Sequence, residues 1–226
     1  MEDELLILRT TYRDNRFLTE DDRRNYESER DEYFRRVYTL GEWGEQAGAI
    51  LPNWHAEDLS ELKKNADRLR HGLDFGYAAD PAAAIRLHAD IGRGRVYVLE
   101  ELREKGLSNE ALARRLQDFC GGHPIICDSA EPKSIAELRR RGIAAIPARK
   151  GPDSLRHGLR FLQGMEIIVD HSCVNMMEEL ESYRWRKGAD GSSLPIPQGE
   201  DHLLDAMRYA LEGDSLLHMA SAVRIN

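Results

Sequence analysis

Three short apolar runs, separated by helix-patterned stretches, constrain this chain more than any other feature. "PIIC" (124–127), "IAAIPA" (143–148) and "MEIIVD" (165–170) are each only long enough for a strand. The first is continuous in apolar residues, the pattern of a strand covered on both faces; "IAAIPA" reads as another buried strand and "MEIIVD" as a further strand. Between them lie "PKSIAELRRRG", stopped by Gly142, and "DSLRHGLRFLQG", which sets Leu155, Leu159 and Leu162 on one stripe. Strands and helices in alternation predict an α/β fold.

The flanking segments extend the same grammar. "GLDFGY" reads as the first strand of this body, and "AAAIRLHAD" and "RVYVLEEL" as a hairpin joined through "IGRG". "LSNEALARRLQDFC" places Leu112, Leu116, Phe119 and Cys120 on one helical face, with Ser108 as N-cap. "SCVNMMEELESY" is a further helix, and "YRWRKGADGSSLPIP" two short strands about a glycine-rich turn. "GEDHLLDAMRYALEG" closes the fold as a last helix ended by Gly213. The expected sheet is mixed and flanked by helices. Before it, "AEDLSELKKNADRL" reads as a short helix, and residues 1–49 as a charged helical arm in which Thr19 can cap a helix. "GEWGEQAG" breaks that arm, so the expected domains are 1–56 and 57–226.

Composition removes several classes. No apolar run approaches the roughly 18 residues of a membrane helix, and "MEDELLILRT" has no basic start, so no signal peptide is expected. Three cysteines are too few for a disulfide framework and point to a reducing compartment. Cys120, His123 and Cys127 form a C-x2-H-x3-C cluster that lacks a fourth ligand at zinc-finger spacing; thiols packed around a strand explain it. A net charge of −8 argues against a nucleic-acid coat protein. Residues 57–226 are nearly balanced, however, and leave room for a basic groove around an acidic site. No heptad is evident, so a monomer is expected.

The acids are the candidate chemistry. Asp74 interrupts the first strand of the body, Asp128 ends "PIICD", and Asp205 shares a helix face with His202 three residues earlier. Sites in open α/β sheets form beyond the carboxyl ends of strands. Three carboxylates converging there repel one another unless cations lie between them. Hard divalent ions such as Mg²⁺ or Mn²⁺ suit such oxygens, and two of them can cleave a phosphodiester. Each acid also has a plainer reading: Asp80-Pro81 starts a turn, Asp128-Ser129 caps the next helix, and His202 is an exposed helix residue. The D-F-G at 74–76 is not a kinase signature, since nothing upstream supplies H-R-D-x-x-x-x-N or a glycine-rich loop. "RRR" at 139–141 reads as a solvated helix end. Arg184, Arg186 and Lys187, interleaved with Tyr183 and Trp185, suit a nucleic-acid groove or an ordinary amphipathic edge.

"GLDFGYAADPAA", "ICDSAEPKSI" and "EDHLLDAMRYAL" resemble, in order and spacing, the nuclease domain of the large terminase subunit of tailed bacteriophages. The resemblance runs from about Leu73 to Leu211. It implies a ribonuclease H-like fold and metal-dependent cutting of double-stranded viral DNA concatemers during genome packaging, with little sequence preference. It also implies 3′-hydroxyl and 5′-phosphate ends. By resemblance Asp74 and Asp128 hold a first Mg²⁺ or Mn²⁺ and Asp205 a second, His202 stands beside the last acid, and Asp80 lies near the metals. "ARKGPDSLRHGL" resembles a segment that makes Lys150 and Ser154 phosphate contacts. "TTYRDNRFLTEDD" and "LGEWGEQAGAILPNW" resemble the end of the packaging ATPase domain and its linker. The ATPase core is missing, since no G-x-x-x-x-G-K-[ST] occurs. The implied partners are DNA, that ATPase domain, the small terminase and the portal, at the procapsid in the host cytoplasm. Two rivals stay open: a Holliday-junction resolvase-like nuclease, and a non-catalytic DNA-binding or motor-docking module.

Overall fold

The computed structural model describes residues 48–76, 80–149, 151, 154–188 and 193–223. In chain order its elements are β1 (Trp54–Glu57), α1 (Ser60–Asn65), β2 (Leu69–Asp74), β3 (Ala82–Asp90), β4 (Arg95–Glu104), α2 (Asn109–Cys120), β5 (Ile125–Cys127) and α3 (Pro132–Arg140). There follow β6 (Ala145–Pro147), α4 (Ser154–Gln163), β7 (Glu166–Asp170), α5 (Val174–Ser182), β8 (Arg184–Lys187), β9 (Ser193–Gln198), α6 (His202–Ala210) and α7 (Glu212–Val223). The helical arm expected before residue 48 lies outside the described residues. Ile50 and Leu51 are fully buried, and the compact unit starts at Ile50.

Seven strands form one sheet in the order β1-β7-β4-β3-β2-β5-β6, and β8 pairs with β9 separately. Strand β3 runs antiparallel to β4 and β2; the other pairings in the large sheet are parallel. The carboxyl ends of β2, β4, β5 and β7 therefore share one edge. The hairpin expected at "IGRG" is present, turning through a 3-10 segment at Ile91–Arg93 and Gly94 at φ 66°.

Each face of the sheet has its own core. On one, α2 and α3 contribute Leu112, Leu116, Phe119, Ile135 and Leu138 against Leu73, Ala84 and Ile125. On the other, α4, α5 and α6 contribute Leu159, Leu162, Met176, Leu180, Leu203 and Met207 against Ile85, Leu87 and Val98. Covering both faces is what the continuous apolar runs require. Ser108 caps α2 as expected, its Oγ accepting from the Ala111 amide at 3.2 Å.

Two expectations are corrected. "IAAIPA" is not a buried central strand, because β6 is the sheet's edge and leaves Ile146 43 % exposed. The helix bearing Asp205 ends at Ala210 rather than Gly213. Leu211 makes the bend, and Gly213 lies within α7, which begins at Glu212. The arginines at 139–141 serve locally: Arg139 donates to the Ala145 carbonyl and Arg141 to Glu137. Cys120 and Cys127 are buried thiols, their pKa values pushed up to about 12 by burial.

Candidate metal centre

Gly72 creates the site by what it lacks. A Cβ built on it would lie 1.8 Å from the Ala206 carbonyl oxygen and 2.9 Å from the Ala210 amide nitrogen. Helix α6 therefore rests on β2 backbone to backbone, which a glycine in a strand permits and another residue forbids. Asp74 is two residues from Gly72 on the strand, and Asp205 one residue from Ala206 on the helix. That close approach sets the first acid under the third.

The second acid arrives by strand register. Leu73 pairs with Cys127, and the Asp128 amide donates to the Leu73 carbonyl at 2.9 Å, extending the ladder by one residue. Asp128 does not cap α3. Its Oδ1 accepts from the Ala130 amide at 2.9 Å, while the helix begins beyond it at Pro132 with Glu131 as N-cap. Asp74 is only 15 % exposed, and His202 Nδ1 lies 3.2 Å from its Oδ2. Its pKa is pushed up to about 6, chiefly by burial and further by the charges of Asp205 and Asp128, while His202 opposes the rise. The three acids and the histidine thus form one electrostatic unit at the carboxyl edge of the sheet.

Arg208 and Tyr209, which the sequence reading missed, engage Asp205. Arg208 Nε and Nη2 donate to Asp205 Oδ1 at 3.0 and 2.7 Å, and the Tyr209 hydroxyl donates to Oδ2 at 3.3 Å. Burial and the charges of Asp205, Asp128 and Asp74 hold the Tyr209 phenol above its usual range, so it remains a donor. The i, i+3 spacing of Asp205 and Arg208 was the available signal. Glu179 of α5 was also missed. It is 2 % exposed and accepts from the Leu203 and Leu204 amides at 2.9 and 3.1 Å, capping the helix that carries His202 and Asp205. Arg103 approaches Glu179 at 3.7 Å. No sequence pattern separates Glu179 from its neighbour Glu178.

The remaining candidates fall in three places. Asp80 is exposed in a cleft of about 700 Å³ with Phe75, Gly76, Glu131 and Glu137, which Asp74, Asp128, Asp205 and His202 do not line. Ser154 opens α4 in a cleft of about 330 Å³ shared with Arg149, His157, Arg208 and Tyr209, beside the acids. Lys150 lies outside the described residues. Arg184, Arg186 and Lys187 are on β8, where Arg186 and Lys187 are exposed and Arg184 donates to the Glu181 carbonyl.

The donor set, three carboxylates beside one imidazole, suits a hard divalent cation. Among the described residues, though, no three His, Cys, Asp or Glu side chains are drawn closely enough together to hold an ion as they stand. At Asp205, Arg208 already fills Oδ1 and Tyr209 takes one site on Oδ2. The donor chemistry of the residues fits a metal, with Oδ1 open to it once Arg208 moves away.

A mixed sheet of this order, with its single antiparallel strand beside the acid-bearing β2, defines a ribonuclease H-like fold. Residues 74–213, more than half of the chain, match the model of the terminase RNase H-like domain, and the chain belongs to that family. It is 39 % identical over 160 residues to the large terminase subunit of Bacillus phage SPP1, covering 66 % of this chain and 36 % of that protein. It is 29 % identical over 213 residues to the PBSX phage terminase large subunit of Bacillus subtilis, covering 90 % of this chain and 49 % of that one. The chain thus spans between a third and a half of the length of these relatives. The crystal structure of the SPP1 large terminase nuclease domain with bound Mn superposes with a TM-score of 0.67 at 34 % identity, over 73 % of this chain and 98 % of that one. The large terminase of a thermophilic bacteriophage shares the fold at 23 % identity and a TM-score of 0.59, over 89 % of this chain and 54 % of that one.

Proposed function

We propose that this chain is the nuclease part of a large terminase, a Mg²⁺- or Mn²⁺-dependent endonuclease that cuts double-stranded viral DNA concatemers during genome packaging by a two-ion mechanism. The observation that carries this reading is Asp74, held at the end of a central strand against two further acids. A cluster of acids of that kind is costly in a fold and useful around cations. The Mn-bound SPP1 nuclease domain supports the choice of ion.

Asp74 and Asp128 would hold one ion and Asp205 a second. When bound, the ions supply positive charge for the scissile phosphate and acidify the attacking water. His202 fixes the Asp74 carboxylate and can carry a proton on Nδ1 in that hydrogen bond. Lys150, Ser154, Arg184, Arg186 and Lys187 would meet backbone phosphates, which orient DNA without reading its sequence. Asp80 would act outside the ion-binding set. Cutting would leave 3′-hydroxyl and 5′-phosphate ends. The ATPase domain of a longer protein, the small terminase and the portal would be the partners, in the host cytoplasm.

The test is cleavage of supercoiled plasmid beside an Asp128→Asn variant. Nicking and linearisation are expected with Mn²⁺ or Mg²⁺ and not with Ca²⁺ or EDTA. The variant should lose more than about a hundredfold, the upper end for removing a mere outer-shell partner of a metal. Robust cutting in EDTA would sink the mechanism, and a marked preference for four-way junctions would favour the resolvase reading. The DNA-binding module draws on one observation, the pairing of Asp205 with Arg208; a gel shift of plasmid without cutting, equal in wild type and variant, would favour it.

A further inference from the structure

We infer that Arg208 is a built-in counter-cation for Asp205, which competes with the divalent ion for that carboxylate and holds the site weakly loaded until the guanidinium is drawn away. The inference rests on the reading of the acids as a metal centre. Two donors of Arg208 converge on the single oxygen Oδ1 and fill its two lone-pair sites, while Tyr209 takes one site on Oδ2, so an ion can reach Oδ1 only by displacing the guanidinium. The pair is enclosed: the side chains of Arg208 and Asp205 are 10 % and 23 % exposed. At such burial a unit charge acts strongly on a neighbouring ion.

The surroundings give the guanidinium somewhere to go. The Arg208 stem lies against Gly158 of α4, where a Cβ would come within 3.0 Å of Arg208 Cδ. Arg208 also lines the cleft of Arg149, Ser154 and His157, whose one acid, Glu212, accepts from the Arg149 amide at 2.8 Å. An anion seated there, such as a DNA backbone phosphate, would offer Arg208 a partner equivalent to a carboxylate. Departure of Arg208 from Asp205 would then coincide with arrival of the substrate, which couples metal loading to DNA.

Mn²⁺ binding to the full chain, read from the loss of the free-ion electron paramagnetic resonance signal without DNA, tests this independently of cleavage. Arg208→Gln should bind Mn²⁺ about tenfold more tightly than wild type, the scale of removing one adjacent unit charge. Arg208→Lys keeps the charge but loses the fork, and should fall between them. Adding Asp205→Asn to Arg208→Gln should abolish the gain. A purely structural arginine would give no gain in affinity. Wild-type binding with equal or weaker binding in both Arg208 variants overturns this inference alone. Absence of Mn²⁺ binding in wild type and variants alike overturns the metal reading with it.

Discussion

Gly72→Ala is expected to abolish cleavage and lower the unfolding temperature by several degrees. The added methyl would meet the Ala206 carbonyl oxygen at 1.8 Å, the Ala206 carbonyl carbon at 2.8 Å and the Ala210 amide nitrogen at 2.9 Å. All three are backbone atoms, so no side chain can swing aside and α6 must lift from β2. Overpacking of this kind costs about 1–3 kcal/mol or more. The functional loss should exceed the stability loss, because His202 and Asp205 ride on α6 while Asp74 stays on the strand. A displacement of about 1 Å at a catalytic group is worth about a hundredfold in rate. Thermal unfolding and plasmid cleavage on the same preparation check both parts. Wild-type values for each would mean that α6 does not lie flush on β2.

Glu179→Ala comes next in size. It leaves the Leu203 and Leu204 amides at a buried helix start without an acceptor, and Arg103 with Glu200 as its remaining carboxylate. Unmaking a buried charged acceptor with two donors costs about 3–5 kcal/mol. Glu179→Gln keeps an acceptor oxygen and separates charge from shape. Burial pushes the Glu179 pKa up to about 7 from 4.5, against the pull of the two amides and Arg103. A carboxyl whose pKa is raised on folding favours the native state most fully while protonated, and that contribution falls as pH rises from 4.5 through about 7. The stability of wild type relative to Glu179→Gln should therefore decline across that window, as read by denaturant titration at about pH 5 and about pH 8. A difference that stays constant, or moves the other way, would mean that Glu179 is ionised throughout.

What the sequence reveals and hides here follows from where each constraint originates. Elements were legible because their signals are local: the Ser108 cap, the IGRG turn and the apolar period of α2 appear where expected, while α4 buries Leu159 and Leu162 of its stripe and leaves Leu155 38 % exposed. Asp74 stood out because a charge in an apolar strand has few structural uses. The edge position of β6 was hidden, since "IAAIPA" reads like a central strand and only the order of the sheet exposes Ile146. Gly213 misled because a glycine after a helical run usually ends it, whereas here the chain bends at Leu211 and continues as α7. Gly72 carried a readable signal, since glycine inside a strand marks close backbone approach. The identity of the approaching helix is a tertiary fact. Glu179 had no signal, as its role depends on an α6 start placed beside it by the fold.

The same division applies to the site. Asp74, Asp128 and Asp205 were legible as acids at strand ends and on a helix face, and their grouping with His202 as a site was what the terminase resemblance implied. A strand end, a register pairing and a flush helix bring them to one region. Arg208 and Tyr209 lie on the same helix as Asp205 and change what it can do, because a carboxylate already paired is a poorer ligand. On the proposed reading, metal loading would depend on the partner Asp205 gives up as much as on the acids themselves.

The most direct measurement is anomalous scattering from crystals soaked in Mn²⁺, with data collected near the manganese absorption edge. Peaks are expected at the carboxyl edge of the sheet, within about 2.0–2.6 Å of carboxylate oxygens, the range of hard divalent ions. These peaks should touch Asp74 and Asp128, with Asp205 turned away from Arg208 to join them. Peaks confined to the cleft of Asp80, Glu131 and Glu137, or no bound manganese at Asp74, would contradict the assignment of a metal centre to these acids.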